Sequence, residues 1–203
     1  MTLWREPTSL ILASQSRARQ ALLASGGFSF EAIPADIDER AIQQASNLSA
    51  PGEVAALLAR EKAHWVSSRR AGHYVIGADQ TLALGDRLFN KPGDVGQAME
   101  QLRSLAGRRH ELHSAVAVAR DEQIIFEHVS VAGMTMRPLN EAEIAAYVDE
   151  AGEGIVTSSV GAYQLEGLGV HLFERIEGDH FTVLGLPMLP LLAFLRSRQL
   201  LAL

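Results

Sequence analysis

The chain has 203 residues, 47% of them hydrophobic and 21% charged, with a formal net charge of −6 and no cysteine. That length and apolar content suit one large globular domain, or two lobes sharing a core, without covalent staples. The lack of cysteine excludes disulfides, thiolate metal sites and a Cys nucleophile, and the scattered acidic balance gives no basis for sequence-independent binding of a nucleic-acid polymer.

The start, MTLWREPTSLILA, does not read as a signal peptide, because its apolar run is short and it carries Glu6 and Pro7. No run approaches a membrane span, and the absence of cysteine fits a cytoplasmic setting. Ser9–Ala13 reads as a short buried strand and Ser16–Ser25 as a helix stopped by Gly26-Gly27. Phe28–Ile33 alternates as a second strand, and Pro34–Ala50 reads as irregular and acidic. Pro51 opens a long helix to about Arg69, with Ser49 as its expected cap.

Tyr74–Ala78 is a compact apolar strand, extended by Gln80–Leu84, and Gly85-Asp86 turns the chain into Arg87–Phe89. Asp94–Leu105 is a helix closed by Gly107. Glu111–Ala119 and Gln123–Met136 form a hairpin around Asp121-Glu122. Asn140 caps the next helix, with Glu143 completing a capping box. A glycine-bearing loop, AGEGIVTSSVGAYQLEGLG, leads to a strand over His171–Ile176, and Pro187–Arg196 is the last helix. Helices and strands interleave and hairpins are present, so an α/β protein with a mixed sheet is expected.

The chemistry concentrates in a few places. Ser14-Gln15-Ser16 joins strand to helix and leaves backbone N–H groups at a helix start, with two serine hydroxyls and the positive end of the helix dipole. Arg17 and Arg19 add full charges suited to phosphate; the same residues would also serve as a plain cap and solvated cations. VIGADQ ends an apolar strand at Asp79, a candidate metal ligand or general base at the edge where ligands of open α/β sheets sit, or the first residue of a turn. Asp36-Ile37-Asp38-Glu39 could hold Mg²⁺ or Mn²⁺, which prefer oxygen. Lys62 and Lys91 are the only lysines in an arginine-rich chain, and a rotatable ammonium suits a phosphate oxygen. In YQLEGLG, Glu166 could meet a base edge or a metal. The seven histidines show no metal spacing, and His113 and His171 read as strand residues. Phosphate-loop, dinucleotide and esterase-elbow signatures are all absent.

Together, LILASQSRARQALL, DIDE, REKA, VIGADQ, NKP, LRSLAGRRHELHSAVAV, YQLEGLG and LFERIEGDHFTVLGLP, in that order, resemble the Maf family of nucleoside triphosphate pyrophosphatases from about Leu10 to Leu195. The resemblance implies an inosine-triphosphatase-like α/β fold, an elongated mixed sheet with two lobes flanking a cleft, built as one domain over residues 1–203. It places Ser14, Ser16 and Arg19 in a phosphate-binding turn, and Glu39, Lys62, Asp79 and Lys91 in the cleft, with Asp79 as proton acceptor. Glu39 and Asp79 are the implied holders of Mg²⁺ or Mn²⁺. The family turn S-x-S-P-R-R is altered here: Arg17 replaces the proline and Ala18 the first arginine. Arg17 is therefore carried as a further substrate-binding candidate.

Gln80 and Glu166 look more like the branch acting on 7-methyl-GTP than the dTTP/UTP branch, and a carboxylate suits a cationic methylated base. The implied reaction is hydrolysis of the α–β phosphoanhydride to a nucleoside monophosphate and pyrophosphate, as house-cleaning of non-canonical nucleotides. A homodimer is implied too. The competing readings are a phosphatase releasing orthophosphate, and a nucleotide-binding regulator of cell division or septum formation with little turnover.

Overall fold

The computed structural model describes residues 3–203. The chain runs β1 (Leu10–Leu12), α1 (Arg17–Ser25), β2 (Phe30–Ala32), α2 (Glu39–Ser46), α3 (Pro51–Ser67), β3 (Val75–Leu84), β4 (Arg87–Phe89) and α4 (Val95–Leu105). It continues through β5 (Arg109–Arg120), β6 (Gln123–Met136), α5 (Glu141–Ala151), α6 (Glu153–Val156), β7 (Phe173–Glu177), α7 (His180–Val183) and α8 (Met188–Ser197). The expected mixed α/β architecture is present: a seven-stranded sheet ordered β2-β1-β3-β5-β6-β7, with β4 paired to β3. No helix of the described residues is long and apolar enough to cross a membrane.

Two compact units divide the chain. The first holds the residues up to Gln80, Ser114–Ser130 and His180–Leu203. Here β1 pairs in parallel with β2 and β3, Leu12 lying opposite Ala32 and Ile76. Parallel strands are covered on both faces and so read as continuous apolar runs; Leu10, Ile11 and Leu12 are all fully buried. Their side chains alternate. Leu10, Leu12 and Ile76 pack with Leu22 and Leu23 of α1 and Leu191 and Leu195 of α8. Ile11, Ala13 and Val75 pack with Val66 of α3.

The approach of α3 to the sheet is unusually close because both sides are small. Ala55, Ala56, Ala59 and Ala63 meet Ala115, Ala117 and Ala119 of β5. Gly77 completes this contact, since a Cβ there would collide with the Ala59 carbonyl oxygen and lie 2.6 Å from the Ala63 nitrogen. The β5–β6 hairpin turns on Asp121 and Glu122, both at positive φ (49° and 65°), as a two-residue primed turn requires.

The second unit holds Thr81–His113 and Val131–Asp179. Its β3 residues Leu82–Leu84 pair antiparallel with β4 through the expected Gly85-Asp86 turn. β6 pairs antiparallel with β7, Met134 opposite Ile176. The Asn140–Glu143 capping box forms in full and fixes the start of α5.

Several sequence expectations are corrected. The segment Pro34–Ala50 is not wholly irregular: Asp38 caps α2 by accepting from the Ala41 N–H at 3.0 Å. Asn47 closes that helix in the left-handed region, at φ 55°. Ser49 does not cap α3; Ala50 holds that position without a side-chain bond, and Pro51 supplies the helical φ. β2 is only three residues long, because Phe28 is still folded back onto α1 through its N–H to the Leu23 carbonyl. The loop after α5 carries α6 and two 3₁₀ turns, Val160–Ala162 and Leu168–Leu172; His171 belongs to the second and not to a strand.

Candidate active site

The strand-to-helix turn after β1 is built as the sequence suggests. Ser16 caps α1, its Oγ accepting from the Arg19 N–H at 3.3 Å. The buried Ser14 hydroxyl accepts from the Ser16 N–H at 3.2 Å. Arg19 points back from the first turn of α1. Its Nε donates to the Gly185 carbonyl at 2.8 Å and its Nη1 to the Ala78 carbonyl at 2.8 Å and to Ser14 Oγ at 3.5 Å. Gly185, at φ 87°, is the residue type that this backbone position favours. Arg19 is thus locked by backbone acceptors, leaving its Nη2 without a hydrogen bond among the described residues. Arg17 is exposed and makes no hydrogen bond or ion pair among the described residues.

Two residues beyond Gly77 on β3, Asp79 is buried, 7% exposed. Lys62, on α3, reaches it with Nζ 2.6 Å from Oδ1, and the same Nζ lies 2.8 Å from Oε1 of Glu39 at the start of α2. Lys62 is itself only 9% exposed, whereas the Glu39 side chain is half-exposed. The close α3–β3 contact at Gly77 is what brings ammonium and carboxylate together. Burial pushes the Asp79 carboxyl above its ordinary range; Lys62 and Arg19 oppose this by favouring the anion, and Glu39 adds to the rise. Burial likewise lowers the Arg19 guanidinium, and Asp79 and Glu39 hold it up. Four groups read separately from the sequence therefore act electrostatically as one.

Gln80 follows Asp79 but serves the protein first. Its Nε2 donates among Ser114 Oγ at 2.8 Å and the carbonyls of Val183 at 3.0 Å and Thr182 at 3.1 Å. Buried Ser114 in turn donates to the Thr182 carbonyl at 2.7 Å. This network pins the segment that ends in Gly185, the acceptor of Arg19. The group that Gln80 can offer a ligand is Oε1.

Lys91 and Glu166 belong to the second unit. Both are exposed and neither has a hydrogen bond or ion pair among the described residues. The loop that carries Glu166 is tightly folded: the Gly167 N–H donates to the Gln164 carbonyl, and a Cβ on Gly169 would collide with that same carbonyl oxygen. Behind the loop lies a pair that the sequence analysis does not find. His110 is 1% exposed, with Nε2 2.8 Å from the hydroxyl of buried Tyr163. Burial holds His110 down at about 4 against a rise from the Arg108 backbone, with Arg109 adding a smaller push downward, so it is neutral at pH 7. His110 lies just before the expected Glu111–Ala119 strand, and its partner is 53 residues away.

Among the described residues, no group of three His, Asp or Glu side chains is placed to hold a metal ion. Two carboxylates, Glu39 and Asp79, converge on one point. That donor set fits a magnesium-type ion, which typically takes one or two protein carboxylates and completes its shell with phosphate oxygens and water.

The profile of the Maf-like protein family matches residues 9–198. The chain belongs to the Maf family. A nucleoside triphosphate pyrophosphatase of Rhodopseudomonas palustris (strain HaA2) is 67% identical over 202 residues, covering all of both chains. A 7-methyl-GTP pyrophosphatase of Rhizobium meliloti is 52% identical over 190 residues, 93% of this chain and 95% of its own. Among solved structures, a HAM1 protein from Coxiella burnetii is similar at a TM-score of 0.42 and 18% identity, over 63% of this chain and 72% of that one.

Proposed function

We propose that this Maf-family chain hydrolyses a nucleoside triphosphate between the α- and β-phosphates, releasing a nucleoside monophosphate and pyrophosphate. The observation that carries the reading is Lys62 Nζ held between Asp79 and Glu39 at 2.6 and 2.8 Å, beside the Ser14–Arg19 turn. Full-length relatives named nucleoside triphosphate pyrophosphatase support it. The proposed domain is the whole of residues 1–203, acting as a cytoplasmic homodimer; the dimer rests on the family resemblance and the location on the cysteine-free composition.

Each residue has a role in this reading. The Ser14 and Ser16 hydroxyls, Arg19 Nη2 and Arg17 receive phosphate oxygens. Lys62 and Lys91 hold further oxygens, supplying fixed positive charge where negative charge collects during phosphoryl transfer. Asp79 takes a proton from the attacking water; burial makes it a stronger base than an exposed aspartate, while Lys62 and Arg19 favour its ionised form. Glu39 and Asp79 would hold Mg²⁺ or Mn²⁺, which when bound neutralises phosphate charge. Gln80, through Oε1, and Glu166 are assigned to substrate binding. A carboxylate suits a cationic 7-methylguanine, a preference supported by the relative named 7-methyl-GTP pyrophosphatase.

The test is a panel of canonical and methylated nucleoside triphosphates assayed for pyrophosphate with Mg²⁺ and with Mn²⁺. Pyrophosphate release, fastest on 7-methyl-GTP, is expected. Orthophosphate alone would convert the reading to a phosphatase, and tight binding without product would leave the regulator of cell division.

A further inference from the structure

We infer that Gln101 is a positioning residue that ties the backbone carrying Lys91 to the loop carrying Glu166, through one side chain bonded to both segments. This rests on the reading that Lys91 and Glu166 meet the substrate. All of the residues involved lie in the second unit. Gln101 stands on α4. Its Nε2 donates to the Asn90 carbonyl at 2.7 Å, and its Oε1 accepts from the Gly161 N–H at 3.0 Å.

Each end of this bridge reaches a braced segment. One turn earlier on the same face of α4, Gln97 Oε1 accepts from the Gly93 N–H at 3.0 Å. The backbone of Lys91 is therefore held on both sides, at Asn90 and Gly93, by glutamines at i and i+4. At the other end Gly161 is at φ 79°, and a Cβ there would lie 2.6 Å from Leu82 and 2.7 Å from Tyr163. The loop around Gly161 is stitched by Ser159 Oγ donating to the Tyr163 carbonyl at 2.6 Å and Gln164 Nε2 donating to Ser158 Oγ at 2.8 Å, and the Gly167 N–H to the Gln164 carbonyl at 3.2 Å carries the brace past Glu166. Lys91 and Glu166 have no partners of their own among the described residues, so their positions are set by their backbones. Gln101 bonds at once to Asn90, next to Lys91, and to Gly161, five residues before Glu166. A primary amide supplies a donor and an acceptor at the two ends of one planar group.

The experiment compares Gln101→Leu, which removes both bonds, with Gln101→Glu, which keeps the acceptor for Gly161 and loses the donor for Asn90. Steady-state kinetics of pyrophosphate release are read alongside hydrogen exchange of the Gly161 amide. Gln101→Leu is expected to raise KM about fivefold with a smaller change in kcat, and to speed exchange at Gly161. Gln101→Glu keeps Gly161 protected while still raising KM. In a Lys91→Ala background, Gln101→Leu adds less to KM than it does alone, because part of what it positions is gone. Strict additivity, or unchanged Gly161 exchange in Gln101→Leu, overturns the tie. Wild-type KM in both Lys91→Ala and Glu166→Gln instead removes the reading of the site on which the tie rests. If Gln101→Leu does not fold, Gln101→Glu alone decides: unchanged KM overturns the proposal.

Discussion

The two units hold their charges in opposite ways. In the first, Lys62, Asp79 and Arg19 are already bonded within the protein, and the ammonium and carboxylate are almost wholly buried. In the second, Lys91 and Glu166 are exposed and unpartnered among the described residues, while the backbone beneath them is firmly stitched. Buried charges must be compensated before any ligand arrives, or the fold would not tolerate them. Exposed ones need no compensation and can be recruited by whatever binds. The first arrangement suits chemistry that depends on a shifted proton affinity, the second suits recognition.

The contrast can be broken most sharply at Asp79. Asp79→Asn removes the base and is expected to lower pyrophosphate release by about 10²–10⁴-fold; near-normal turnover would take Asp79 out of that role. Lys62→Met is next, with an expected loss of about 10²-fold at neutral pH and a changed pH profile. In the proposed role Asp79 works ionised, so activity is expected to fall as pH drops through its pKa. That pKa already stands above the ordinary aspartate value, and Lys62 is the largest force opposing the rise. Without the ammonium the acidic limb therefore moves to higher pH; a limb that stays in place or moves down contradicts the pairing.

Gly77→Ala tests the packing that makes the pair. The added methyl meets the Ala59 carbonyl and the Ala63 nitrogen, and a cost of about 1–3 kcal/mol in denaturant unfolding is expected. The smallest effects on folding belong to Lys91→Ala and Glu166→Gln, each within about 0.5 kcal/mol by the same measure, with KM rising about tenfold. A clear loss of stability in either would erase the distinction between the two units.

Much of the first unit was legible because its signals are local. The LILASQSRARQ segment carries an apolar strand, a serine cap and a helix in consecutive residues, and Ser16 caps α1 as expected. In the second unit Asn140 and Glu143 likewise announce their capping box. The helix α2 was readable in principle, since Asp38 precedes the helix formers of ERAIQQAS, but the acidic, apolar-poor stretch hid it. What no local pattern contains is pairing across the chain. Lys62 and Asp79 are 17 residues apart and meet only because Gly77 and a run of alanines let a helix settle close to the sheet. Nothing local distinguishes Gln101 on its helix. Its i, i+4 spacing from Gln97 was the available hint, and its second partner, 60 residues on, was not.

The lysine shared by Glu39 and Asp79 has one more consequence. With Arg19 counted, two carboxylates face two cations whose fields reach one another, and the formal sum is zero. A neutral quartet neither repels nor strongly attracts a lone ion of either sign. The visitor that gains most is one bringing both signs together, a polyphosphate already wearing its divalent ion, because each half finds an opposite among residues that had been satisfying one another.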